Sequence, residues 1–293
     1  GVPPSQIQTH PPRWSLDQLY LAHLAITDIT SQRFHYEDRI SRAAIGKAGA
    51  ESGQLTVWLD HWRAAANDAE QHLLTARTSA MALTLTLSPL TPPIIHGERG
   101  ISKKGPEPDQ ASHYYSLPRL ATTGTITLGT TTYPVTGMSW MDHEFGSADL
   151  GREMVGWDWF SMHLGDNRAL MLYRLRRADG SSDPASSGTL IFPDGRTQRL
   201  AAEDFQVTPL DTWTSPTSKA TYPRRWQITI PSLGLSLTLT PLLDNQELST
   251  TRSTQVTYWE GAMDVSGTEH GQPLTGQGYV EMTGYAERFQ KKL

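Results

Sequence analysis

Met81-Ala82-Leu83-Thr84-Leu85-Thr86-Leu87 alternates apolar and polar residues, and Leu233-Gly234-Leu235-Ser236-Leu237-Thr238-Leu239 does so again. Side chains of a strand point alternately to its two faces, so a period of two puts every leucine on one face and every hydroxyl on the other. Weaker alternation runs through 125–128, 226–230 and 255–259. Turn signals separate such stretches: Leu128-Gly129-Thr130, Gly165-Asp166-Asn167, Asp179-Gly180 and Phe192-Pro193-Asp194-Gly195. The last is the strongest hairpin signal, because Asp-Gly readily supplies positive φ. At least fourteen strands are expected on this pattern. Helical pattern is confined to the Ala-rich 61–75, which predicts two or three turns, and to a short stretch at the C-terminus. Many strands, close turns and little helix predict an all-β chain of antiparallel barrels or sandwiches.

The 293 residues correspond to about two domains. Two units of about seven or eight strands fit that length better than one barrel. The break is expected in the Gly/Ser/Asp-rich 146–151, giving domains 1–148 and 149–293. Twenty-five basic against 30 acidic side chains give a net charge of −5, with no general attraction for nucleic acid or an anionic membrane surface. Charged residues make up 19%, below the ~25% usual in soluble domains, and 34 threonines fill the space. Nine Trp, ten Tyr and six Phe argue against disorder. Cysteine is absent, which excludes disulfides, thiolate metal sites and a Cys nucleophile. No apolar run approaches the ~20 residues of a membrane-spanning helix. The chain opens on Gly-Val-Pro-Pro without a visible signal-peptide pattern, so it reads as processed, trimmed or begun inside a longer product.

Chemistry concentrates in three clusters. In Trp140-Met141-Asp142-His143-Glu144-Phe145, a strand puts Trp140, Asp142 and Glu144 on one face and Met141, His143 and Phe145 on the other. Whichever face turns inward buries a titratable group. A buried carboxyl has its charged form disfavoured, which makes it a general-acid candidate; the structural alternative is a carboxylate that staples the fold through hydrogen bonds. Two carboxyls two residues apart along such a face cannot both ionise cheaply, so Asp142 is expected to keep its proton beside a charged Glu144 held by Arg152 or Arg174. In Gly156-Trp157-Asp158-Trp159-Phe160-Ser161-Met162-His163, Trp157, Trp159 and His163 share a face. Ser112-His113-Tyr114-Tyr115-Ser116 follows 88–110, the longest stretch without a strand pattern, which is expected to be a surface loop or a lid over a cavity mouth with His113 and Tyr115 just inside. No metal is expected: there is no His-Glu-x-x-His motif, and alternate side chains of Asp142-His143-Glu144 diverge. Nor is there a Gly-x-Ser-x-Gly elbow or a phosphate-binding glycine loop.

The stretch Gly137-Met138-Ser139-Trp140-Met141-Asp142-His143-Glu144-Phe145-Gly146-Ser147 resembles the signature of the AttH-like and carotenoid 1,2-hydratase (hydroxyneurosporene synthase) superfamily. Ala22-His23-Leu24-Ala25-Ile26-Thr27-Asp28 agrees with it. So do His96-Gly97-Glu98-Arg99-Gly100-Ile101-Ser102-Lys103-Lys104-Gly105 and Gly276-Gln277-Gly278-Tyr279-Val280-Glu281-Met282-Thr283-Gly284-Tyr285, in the family's order. The resemblance implies two lipocalin-like, calycin-type antiparallel β-barrels packed side by side, and a periplasmic or secreted protein of the predicted-hydrolase type. Its hydratase branch adds water to a terminal C=C bond of an acyclic carotenoid without a cofactor. Carried over, its acid matches Asp142, with His113, Tyr115 and Trp140 as neighbours. The hydratases usually carry Tyr-His-Asp-His-Asn where this chain has Trp140-Met141-Asp142-His143-Glu144, so an indole replaces a phenol and a carboxyl replaces an amide. The family's usual Glu-Trp-Trp-Tyr segment near the start is absent, so the first barrel is expected to lack its first strands.

Three functions compete. The first is a barrel that binds a small apolar, isoprenoid- or lipid-like ligand, with Trp157, Trp159, His143, Glu144 and His163 in the wall. The second is a cofactor-independent hydratase or hydrolase acting on such a ligand through Asp142. The third is a structural module with packed barrels. An eight-stranded barrel can be filled or hold one small ligand, so fold alone does not choose.

Overall fold

The computed structural model describes residues 18–43, 46–107, 109–146, 150, 151 and 153–289. The described chain is antiparallel β almost throughout; its one short helical turn is the 3₁₀ segment Pro231–Leu233. The first strands are β1 (Leu19–Asp28), β2 (Arg33–Arg42), β3 (Ala48–Ala50), β4 (Thr56–Leu59), β5 (Trp62–Ala66), β6 (His72–Arg77) and β7 (Met81–Pro89). Then come β8 (Ile94–Ile95), β9 (Ile101–Lys103), β10 (Ala111–Leu128), β11 (Thr131–Phe145), β12 (Met154–Leu164), β13 (Ala169–Arg177), β14 (Ser187–Ile191) and β15 (Thr197–Ala201). The last are β16 (Gln206–Pro209), β17 (Thr212–Thr214), β18 (Thr221–Pro223), β19 (Trp226–Ile230), β20 (Leu235–Pro241), β21 (Glu247–Ser249), β22 (Thr257–Glu269) and β23 (Gln272–Met282).

Contacts divide the chain into two compact units built from interleaved segments. Unit 1 collects Gly1–Leu24, Glu37–Ser88 and Ala121–Gly137; unit 2 collects Ala25–Tyr36, Pro89–Leu120 and Met138–Leu293. The long strands β10 and β11 therefore contribute to both. Half of the break expected at 146–151, residues 147–149, lies outside the described residues.

Unit 1 is a meander of β3 to β7 continued by the later part of β10 and the earlier part of β11. The helix expected over 61–75 is a hairpin, β5 paired with β6. Asn67 makes the difference: its Oδ1 accepts from the backbone N–H of Ala69 and of Gln71, closing a turn where a helix would continue. The short helix expected near the C-terminus is likewise not seen among the described residues, which end in bends after β23.

Unit 2 is dominated by a ten-stranded sheet whose path runs β15-β14-β13-β12-β23-β22-β20-β19-β16, with β21 on β22. Period two sets what each face does. Phe160 and Met162 of β12, Leu170 and Leu172 of β13, Leu235, Leu237 and Leu239 of β20, and Val280 and Met282 of β23 join one buried core around Trp226. The hairpin signals land at strand ends: Asp194-Gly195 joins β14 to β15 with Gly195 at φ 83°, and Asn167 at φ 69° lies between β12 and β13. The other face of β12, β13, β22 and β23 is left for the cavity described below.

The segment 88–110 is not a free loop. Its short strands β8 and β9 both pair with β10. Gly97, Arg99 and Gly100 all have positive φ and tighten the turn between them, so His96 is carried inward. A Cβ on Gly97 would stand 2.0 Å from the carbonyl oxygen of Ile101. Gly97→Ala is therefore expected to destabilise by at least ~1 kcal/mol, seen as a lower urea midpoint at unchanged slope.

Candidate active site

One face of β11 and one face of β10 meet over the open face of the large sheet and line an open cavity of about 1830 Å³. All of its lining residues belong to unit 2. Trp140, Asp142 and Glu144 of β11 line it together, as strand alternation requires. Trp157, Trp159, Ser161 and His163 line it from β12, and Glu260 and Glu281 from β22 and β23. The volume exceeds the ~300–1000 Å³ of ordinary ligand pockets.

Asp142 is the best-held group in the cavity. Its Oδ1 accepts from Tyr114 Oη at 2.9 Å, from Trp140 Nε1 at 2.9 Å and from the Ser116 hydroxyl. Its Oδ2 has no hydrogen-bond partner among the described residues and Asp142 faces the cavity. Burial disfavours the carboxylate, the three donors hold it back in part, and the charge of Glu144 adds to the upward push. The net result lies above the usual carboxylate range. Because Oδ1 is taken by three donors, the proton of the acid form belongs on Oδ2.

The donors are themselves fixed. Trp159 Nε1 donates to Tyr114 Oη at 3.0 Å. Burial and the neighbouring Asp142 push the Tyr114 phenol up, so it remains a donor. His96, buried by the 88–110 turn, bridges Ser116 Oγ at 2.7 Å through Nε2 and Thr189 Oγ1 at 2.9 Å through Nδ1. Burial, then the Lys104 charge, pushes its imidazole down to about 3. Since Ser116 spends its proton on Asp142, the neutral His96 donates from Nε2 to Ser116 and accepts from Thr189 at Nδ1. The result is a one-way chain, Thr189 to His96 to Ser116 to Asp142.

Glu144 is held differently. Lys104 Nζ stands 2.6 Å from its Oε1, and the Ser112 hydroxyl donates to the same oxygen. Lys104 also sits 4.5 Å from the Tyr173 ring centroid. The expected partners do not serve here: Arg174 faces Asp158 on the opposite face of the sheet at 3.8 Å, and Arg152 lies outside the described residues. His163 donates from Nε2 to the Pro118 carbonyl at 2.5 Å, and burial keeps its ring neutral. Its ring centroid is 5.8 Å from that of Trp140, which meets Trp159 edge-on at 6.3 Å.

Three expected site residues are not brought into this cavity. His113, Tyr115 and His143 occupy the other faces of β10 and β11, where His143 Nδ1 and Tyr115 Oη lie 2.8 Å apart and His113 stacks on Phe145 at 5.1 Å. The reason is parity: Ser112, Tyr114 and Ser116 turn inward, so their odd-numbered neighbours turn out. The sequence reading missed Tyr114, Ser116, His96, Lys104, Glu260 and Glu281. The signal for Glu260 and Glu281 was local: each acid directly follows an apolar or aromatic pair, Tyr258-Trp259 and Tyr279-Val280. Among the described residues no cluster of three or more His, Asp or Glu is arranged to hold a metal, and no helix is long and apolar enough to cross a membrane.

The comparisons agree with this architecture. The crystal structure of a protein assigned as AttH from Nitrosomonas europaea superposes with a TM-score of 0.85 at 34% identity, covering 93% of this chain and 83% of that one. Kievitone hydratase from Nectria haematococca shares the fold, with a TM-score of 0.74 at 18% identity over 91% of this chain and 80% of that one. In sequence, kievitone hydratase of Fusarium solani subsp. phaseoli is 26% identical over 228 residues, and the dehydratase asqC of Emericella nidulans is 23% identical over 206. Those alignments cover 74% and 68% of this chain but only 61% and 57% of the relatives' own lengths. The AttH-like family model matches residues 2–285, the two interleaved units and every cavity strand included, and the chain belongs to the AttH-like family.

Proposed function

We propose that this protein is a cofactor-independent hydratase or dehydratase that adds water to, or removes it from, a carbon–carbon double bond of an apolar substrate, with Asp142 as the general acid. The observation that carries this is the asymmetry of Asp142: one oxygen bound by three donors and the other without a hydrogen-bond partner among the described residues, in a cavity-lining carboxyl whose ionisation is disfavoured. Protonation of an alkene by Oδ2–H forms a C–H bond from the π pair and leaves a carbocation. The Trp140 and Trp159 faces and the Tyr114 ring stabilise such a charge. Water then closes the C–O bond. In the reverse direction the group that took the proton of the water returns it to the leaving hydroxyl, and Asp142, as a carboxylate, removes the C–H proton to restore the double bond. Two relatives bear hydratase and dehydratase names, which moves this reading ahead of the pure ligand-binding function that the sequence placed first. Roles assigned by resemblance to His113 and Tyr115 pass to Ser116 and Tyr114, which touch Asp142.

Kievitone and the acyclic carotenoid neurosporene serve as first probes. Incubated with the purified protein, at least one is expected to gain the mass of one water in an Asp142-dependent manner. Tight binding of both without any change of mass would return the function to ligand carriage.

A further inference from the structure

The cavity holds a second acidic centre besides Asp142 and Glu144. Glu260 of β22 and Glu281 of β23 are direct cross-strand partners, and both line the cavity. Side chains so placed start from Cβ atoms ~4.5–5.5 Å apart, close enough for two carboxyls to touch. Among the described residues neither glutamate makes an ion pair. Trp157 Nε1 donates to Glu281 at 3.2 Å, and Tyr258 bonds to Glu260. The charges pressing on Glu281 are those of Glu260, Asp142 and Glu144. Tyr279 faces the same pair from its own strand. The two cavity cations are otherwise engaged, Lys104 with Glu144 and Arg288 donating to the Met154 carbonyl at 3.2 Å. Burial comes first among the causes that push both glutamates up. Two part-buried carboxyls side by side do not both ionise cheaply, and they titrate as a pair.

We propose that Glu260 and Glu281 share one proton across the strand pair and form the second proton-transfer centre of this cavity, the carboxylate that receives the proton of the attacking water. This rests on the hydratase reading. Asp142 gives its proton to the alkene carbon and becomes a carboxylate. The water oxygen forms the C–O bond with a lone pair, and its released proton moves to the ionised member of the pair. The pair then holds two protons and Asp142 none. Return of one proton to Asp142 restores the starting state with no co-reactant. Asp142 sits on β11 and the pair on a different sheet, so acid and base approach the substrate from separate walls of one cavity.

The test uses Glu281→Gln and Glu260→Gln, neutral and nearly isosteric, with melting curves confirming that each folds. With wild-type turnover of kievitone or neurosporene established, each variant is expected to lose ~10²-fold or more in kcat with little change in KM. Each should also move the acid limb of the pH–rate profile to lower pH, because the remaining glutamate loses its like-charged neighbour, a shift that a purely structural role would not produce. Infrared spectra of protein labelled with carboxyl-¹³C glutamate provide the independent readout. A label-shifted carbonyl band of a protonated acid is expected at pH 7 in wild type and should vanish in the double variant. Undiminished turnover in the two variants, an unmoved acid limb, or no label-shifted acid band in wild type would overturn the shared proton. Absence of any turnover by wild type would instead strike the hydratase reading itself, and the pair's role with it.

Discussion

Asp142→Asn is expected to lower turnover by ~10²–10⁴-fold and leave the melting temperature close to that of wild type. The asparagine carbonyl can still accept from Tyr114, Ser116 and Trp140, the three groups that fix Oδ1. What it lacks is the acidic proton on the cavity side. A carboxylate serving only as a staple would give the opposite pattern, ~1–3 kcal/mol of lost stability with activity falling only as the fold does. The pH dependence follows from the raised carboxyl: the acid form is required, so the rate falls as pH rises through the Asp142 pKa. Ser116→Ala removes a donor that favours the charged form, so this alkaline limb should move to higher pH. Stopped activity assays across pH, beside thermal melts of each variant, separate the two accounts.

Trp226→Ala carries the largest expected effect on stability. Trp226 is fully buried on β19, pairs with Leu239 of β20 and meets Phe160 edge-on at 5.3 Å between ring centroids. Truncation removes that area from the core and leaves a cavity that the surrounding sheet cannot collapse into, at a cost of ~3–5 kcal/mol. Its indole Nε1 has no hydrogen-bond partner among the described residues. Trp226→Phe should therefore cost distinctly less, because it keeps most of the ring and removes the unpaired donor. Urea unfolding reads both. A loss under ~1 kcal/mol for the alanine variant would mean that the core around Trp226 is not packed as described.

How much was legible in the sequence depended on what kind of signal each residue gives. Period two is local, so β20 and β7 could be read from their leucines and β19 from Trp226-Gln227-Ile228-Thr229-Ile230. Turn chemistry is local too, and Asp194-Gly195 closes the hairpin expected of it. The cavity face of β11 was readable because alternation ties Trp140, Asp142 and Glu144 together once one of them points in. The absolute parity of β10 was not, because Ser112-His113-Tyr114-Tyr115-Ser116 offers polar and aromatic residues on both faces and either assignment buries a tyrosine. His96, Lys104 and the Glu260–Glu281 pair depend on contacts between segments far apart in the chain, such as His96 with Thr189 and Lys104 with Glu144. No local pattern encodes such a pairing. The 61–75 helix failed for a related reason: alanine content favours helix, but Asn67 caps a turn and the strand partners override propensity.

The central claim is that Asp142 donates a proton to carbon while water supplies the oxygen. A turnover of neurosporene or kievitone in D₂O enriched in ¹⁸O tests it directly. Mass spectrometry of the product should find one solvent deuterium bound to carbon and one ¹⁸O in the new hydroxyl, both absent when Asp142→Asn is used in place of wild type. Recovery of unlabelled, unchanged substrate from wild type, bound or free, would contradict the account.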